Sequence, residues 1–152
     1  MRARLLVLLL TLAATSACSH PPPDAKPEGA LRLWLEKMEE SLDDPSATRE
    51  AYALLGPAAR ANLEERARRA NQAFGQHKEP YEMLAAGWFG LAFRPKSMRS
   101  SIVGDQATVE VEGADPATEH ASVRCVHEPG GWRVEPELPP LGAVPLRGDG
   151  GN

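Results

Sequence analysis

The chain has 152 residues, 42% hydrophobic and 25% charged, with a formal net charge of −4. That balance belongs to a folded protein of single-domain size and not to a disordered chain. The acidic charge speaks against nucleic acid as a partner, because nucleic-acid binding needs a basic footprint.

The chain opens with Arg2 and Arg4, an apolar run over residues 5–14, and then Thr15-Ser16-Ala17-Cys18. A membrane-spanning helix needs roughly 20 apolar residues. The run is too short for that and has the form of a secretion signal, with a basic start and a close of small residues. Ser16-Ala17-Cys18 resembles the end of a bacterial lipoprotein signal, although Thr15 stands where that pattern prefers Leu. The resemblance implies cleavage after Ala17 and lipid attachment at Cys18, so that residues 1–17 are a signal peptide. The alternative is ordinary cleavage, leaving a free Cys18. Ser19 stands where Asp would mark inner-membrane retention. The implied location is therefore the cell envelope, on the periplasmic face of the outer membrane. Losing Arg2 and Arg4 takes the net charge from −4 to −6. With Cys18 lipidated, Cys125 has no intramolecular partner, and its strand setting predicts a small buried hydrophobe.

Residues 18–28 carry Pro21, Pro22, Pro23 and Pro27 and no large apolar side chain, which predicts an extended tether. Helical spacing follows. Leu31, Trp34, Leu35, Met38 and Leu42 make one stripe, opposite Arg32, Glu36, Lys37, Glu39 and Glu40. Asp44 is placed to cap a second helix that starts at Pro45. Tyr52, Leu54 and Leu55 add apolar surface before Gly56, and Pro57 opens a longer helix with the stripe Leu63, Ala67, Ala70 and Phe74. Glu64 with Arg68 and Glu65 with Arg69 can pair on its outer face. Gly75 suits the residue after its last turn. Residues 80–86 predict a further short helix, ended by Gly87.

From Trp88 onward the period changes to two. Ala107, Val109 and Val111 alternate with Thr108, Glu110 and Glu112, and Ala121, Val123 and Cys125 with Ser122 and Arg124. Trp132 and Val134 are predicted to be core and Arg133 to lie on the wet face. Turns fall at residues 103–106 and 128–131, and a fourth strand is placed over residues 89–101. Helices first and an antiparallel meander after predict an α+β fold, with N-terminal helices packed on a curved sheet of about four strands. The domain spans residues 29–138, and residues 139–152 form a loose tail.

Leu54-Leu55-Gly56-Pro57, the strand Val103-Gly104-Asp105-Gln106-Ala107-Thr108-Val109 and the close Gly130-Gly131-Trp132-Arg133-Val134 are similar to the NTF2-like superfamily, and to its small bacterial lipoproteins of unknown function in particular. The resemblance covers about residues 29–138 and implies a cone, a curved sheet wrapped around helices. Some members of that superfamily are isomerases, dehydratases or hydrolases that work inside the cone, and many others only bind or dimerise.

No catalytic base stands out. Glu110, Glu112 and Glu135 point outward by parity, and Asp105 and Asp115 fall in turns. His127 shares the parity of Cys125 and is the one histidine expected to face inward, whereas His120 should face out. The spacing of His, Cys and acidic residues resembles no metal site, and no cofactor is implied. The residues that could line a pocket are Trp34, Tyr52, Tyr81, Trp88 and His127, with core packing as the ordinary role of such aromatics. These features favour a membrane-tethered, non-catalytic binding or assembly module whose partner is an envelope protein or a second copy. One alternative is a cone-pocket enzyme acting on a small apolar ligand. The other is a dimerising structural accessory subunit.

Overall fold

A computed structural model describes residues 21–75, 77–84 and 90–142. Three helices precede a four-stranded antiparallel sheet: α1 (Pro27–Glu40), α2 (Pro45–Ala53), α3 (Pro57–Phe74), then β1 (Ser97–Val103), β2 (Gln106–Glu112), β3 (His120–Glu128) and β4 (Gly131–Glu135). The sheet order is β1-β2-β3-β4, a meander that is α+β and is not closed. Each helix has proline at its first position, where the missing N–H has no intrahelical partner to lose. Asp44 caps α2 as its position predicts, accepting from Ser46 N at 2.8 Å. Gly75 ends α3 at φ 64°, in the left-handed conformation.

One face of the sheet carries the core. Val109, Val111, Ala107, Cys125, Trp132 and Val134 are buried against α1, α3 and the α2–α3 connection, through Leu31, Trp34, Met38, Leu55 and Leu63. Trp132 and Val134 are therefore core, as the alternation predicts. Leu42 and Phe74 are not: they are 71% and 76% exposed. Leu42 lies beyond the end of α1 and Phe74 is the last residue of α3, so the periodic stripe runs on past the surface that could cover it.

The two sheet edges are treated differently. The α2–α3 connection pairs with β4: Val134 N donates to Leu54 O at 2.9 Å, and Gly56 N to Val134 O at 2.8 Å. On the β1 edge, the Ser100 amide donates to Glu28 Oε1 at 2.9 Å and its hydroxyl to the same oxygen at 2.6 Å. A charged side chain on an edge amide deters pairing with another chain. Burial tends to raise the Glu28 pKa, but the hydrogen bonds from Ser100 prevail and hold it below the ordinary carboxylate range.

The N-terminal segment is not an extended tether through residue 28. Pro23–Ala25 forms a 3-10 turn and Pro27 already begins α1. A Cβ on Gly29 would lie 1.8 Å from Pro23 O, so the turn rests directly on the first turn of α1. Asp24 then reaches Arg133, at 2.7 Å, with both side chains 17% exposed. Arg133 has outward parity, but it is not a freely solvated residue, because this segment folds over it.

Three further boundaries move. The fourth strand begins at Ser97, beyond Pro95, whose ring removes a ladder donor. The short helix is the 3-10 turn Pro80–Met83, and Gly87 lies outside the described residues. The start of the tail is tied to α3: Leu138 packs on the core, Arg66 Nη2 donates to Pro139 O, and Arg69 Nη1 to Gly142 O at 2.6 Å. On the outer face of α3, Glu65 binds both Arg69 (2.7 Å) and Arg68 (2.6 Å), while Glu64 accepts instead from Tyr52.

Candidate functional site

The helix-covered side of the sheet is packed apart from a cleft beside Trp34. The opposite side carries a trough of about 440 Å³ that crosses all four strands. Strand register builds it. Ser101 faces Thr108, Thr108 faces Arg124 and Arg124 faces Glu135, so these four stand in one row across the outer surface. The next outward row contains Val103, Gln106 and Val126. Pro57 and Ala58, from the first turn of α3, form one wall.

Glu135 is the hinge between trough and helix. Its Oε1 accepts from Ala58 N at 3.0 Å and its Oε2 from Ala59 N at 2.9 Å. It thus serves the orphan amides of α3, where Gly56 offers no capping side chain. Outward parity is the sequence signal for this row, but one strand's alternation does not say which outward residues become neighbours.

The structure does not gather the sequence-predicted pocket residues. Trp34 is buried, and its indole Nε1 has no hydrogen-bond partner among the described residues. It lines a second cleft of about 440 Å³ with Leu31, Leu91, Ala121, Val123 and Pro136, which shares Arg124 and Glu135 with the trough. Tyr52 donates its hydroxyl to Glu64 Oε1 at 3.3 Å, and burial, helped by that carboxylate, raises its pKa. The Tyr81 ring lies 4.8 Å from the Arg49 guanidinium, which also donates to its hydroxyl at 3.1 Å. His127 has the expected parity but is exposed. It sits edge-on to Trp132, with ring centroids 5.1 Å apart, at the end of the sheet that the helices leave uncovered. Trp88 and Cys18 lie outside the described residues. Cys125 is buried, and burial pushes its thiol pKa up to about 12, so it is a packed side chain and not a nucleophile.

Among the described residues, no cluster of three or more His, Cys, Asp or Glu side chains is placed to hold a metal ion, and no helix is long and apolar enough to cross a membrane. The chain matches no model of a known protein family, and it has no significant match among the curated proteins or the solved structures compared. What the fold defines is an α+β protein with helices packed on one face of an unclosed four-stranded sheet and a trough on the other.

Proposed function

We propose that this protein is a lipid-anchored, non-catalytic binding or assembly module of the bacterial envelope, held at the periplasmic face of the outer membrane through Cys18. The observation that carries this reading is the division of the sheet. Its helix side is packed with Leu31, Leu55, Leu63, Val109, Val111 and Val134, and its outer side is an open trough. A binding surface needs exposure, whereas a catalytic acid or base needs an enclosed site that tunes its pKa. The export signal and Ser16-Ala17-Cys18 support the anchor. Helices followed by a four-strand meander support an NTF2-like frame. The cleft beside Trp34, whose indole N–H has no partner among the described residues, favours a second reading, a pocket enzyme.

Complementation separates the two. In a strain lacking the protein, rescue should be lost with Cys18→Ser and with substitutions on the outer sheet face, and should survive Tyr52→Phe, Tyr81→Phe and His127→Ala. If those last three fold and each abolishes rescue, the enzyme reading replaces the module. Unchanged acyl mass and detergent partitioning in Cys18→Ser would remove the lipid anchor.

A further inference from the structure

The outward carboxylates of the sheet are nearly all committed. Glu110 accepts from the Ser122 hydroxyl at 2.8 Å and Glu112 from that of Ser97 at 3.0 Å. Glu128 binds Arg60 at 2.7 Å, and Glu135 gives both oxygens to α3. Arg124 stands among them in the middle of the trough, exposed, and among the described residues no carboxylate lies within ion-pair distance of it. Beside it in the same row are the hydroxyls of Thr108 and Ser101, also without side-chain partners among the described residues. Facing residues on neighbouring strands sit about 5 Å apart, so the three donor groups span roughly 10 Å. Two residues further along the strands the row runs Val103 (79% exposed), Gln106 and half-buried Val126, with the two valines flanking the amide side chain. Same-face neighbours along a strand are about 7 Å apart, which is the scale of one amino-acid residue from its carboxylate to the tip of its side chain.

We propose that this trough binds a terminal carboxylate attached to a short aliphatic group, with Arg124 as the anion anchor, Thr108 and Ser101 as hydroxyl donors, and Val103 and Val126, on either side of Gln106, as the apolar contacts. The proposal rests on the binding-module reading and gives that module a ligand class. A planar guanidinium matches a carboxylate with two parallel hydrogen bonds, and the adjacent hydroxyls extend the donor set. The chemistry is shared by the C-terminus of a peptide and by a small free acid.

The test uses the full-length protein in detergent solution and three probes: acetyl-Ala-Val with a free carboxylate, the same dipeptide as its C-terminal amide, and pentanoate. Calorimetry gives affinity, and amide chemical shifts give location. The free-carboxylate dipeptide should bind saturably and move the Thr108, Arg124 and Val126 signals, and the amide should bind about tenfold more weakly or less. Arg124→Gln should erase that difference while leaving the melting midpoint unchanged, because Arg124 makes no side-chain hydrogen bond or ion pair among the described residues. Arg124→Lys should keep part of it, and Thr108→Val should weaken the carboxylate form alone. Pentanoate binding as well as the dipeptide points to a free acid, and pentanoate failing beside it points to a peptide C-terminus. Equal binding of carboxylate and amide, an unchanged affinity in Arg124→Gln, or no saturable shift overturns the proposal. Such a failure leaves the Cys18-dependent rescue untouched, so it is distinct from failure of the module reading.

Discussion

Arg133 Nη1 donates to Asp24 Oδ2 at 2.7 Å across 109 residues of chain, and it joins the N-terminal 3-10 turn to β4. Arg133 also lies 3.9 Å from Glu128, which binds Arg60 of α3, so four charges hold three parts of the fold together. Alternation alone assigns Arg133 a solvated position of little energetic consequence. With only 17% of each side chain exposed, removal of one partner strands the other in a poorly hydrated place. Arg133→Ala should cost about 1–3 kcal/mol in urea melts. A double-mutant cycle with Asp24→Ala should show coupling of about 1 kcal/mol. A parent-like midpoint for Arg133→Ala would mean that the pair adds nothing.

Gly29 gives a sharper contrast between local and tertiary effects. Inside a helix, glycine to alanine normally gains about 1 kcal/mol. Here the added Cβ would meet Pro23 O at 1.8 Å, a backbone atom that cannot swing aside. Gly29→Ala is therefore expected to destabilise and to loosen the segment before α1, read as faster amide exchange at Ala25 and a lower melting midpoint. A stabilised variant would show that the turn does not rest on the helix.

Trp132 is 6% exposed and closes the end of the core beside His127. Trp132→Ala should cost about 3–5 kcal/mol. His127→Ala should cost well under half of that, because the ring lies at the exposed end of the sheet. Equal losses in denaturant melts would put His127 inside the core.

Cys125 carries the clearest pH signature. Its thiol stays protonated in the folded chain up to about 12, against an ordinary value of 9.0 when unfolded. Between those values the folded state holds a proton that the unfolded state has released, so stability falls as pH rises. The contribution is fully present below about 9. Cys125→Ala should flatten this part of the alkaline limb relative to the parent, and the native thiol should resist maleimide until urea is added. Rapid labelling of the folded protein would contradict the burial.

Much of the local order was legible from residue patterns. Asp44-Pro45, Gly56-Pro57 and Gly75 mark helix ends, and Ala107-Val109-Val111 marks the buried face of β2, because each signal is contained in a few neighbouring residues. Leu42, Phe74 and His127 kept the right period yet came out exposed, since period says which side a residue faces and not whether anything covers it there. Arg133 came out covered for the converse reason: its lid comes from Asp24. The row from Ser101 to Glu135 depends on the mutual register of four strands, and no single strand's alternation contains that information.

The contact between Asp24 and the β3–β4 hairpin also sets a leash length. Because the fold takes hold of the chain at Pro23, a lipid on Cys18 would stand only five residues from that hold. At roughly 3.5 Å per residue, that pays out less than about 20 Å. Gly131 adjoins Asp24, so the hairpin end of the sheet would ride near the bilayer. With such an anchor, the protein would meet only neighbours within that short reach of the membrane. It would find partners by drifting sideways along the surface, not by reaching across the compartment.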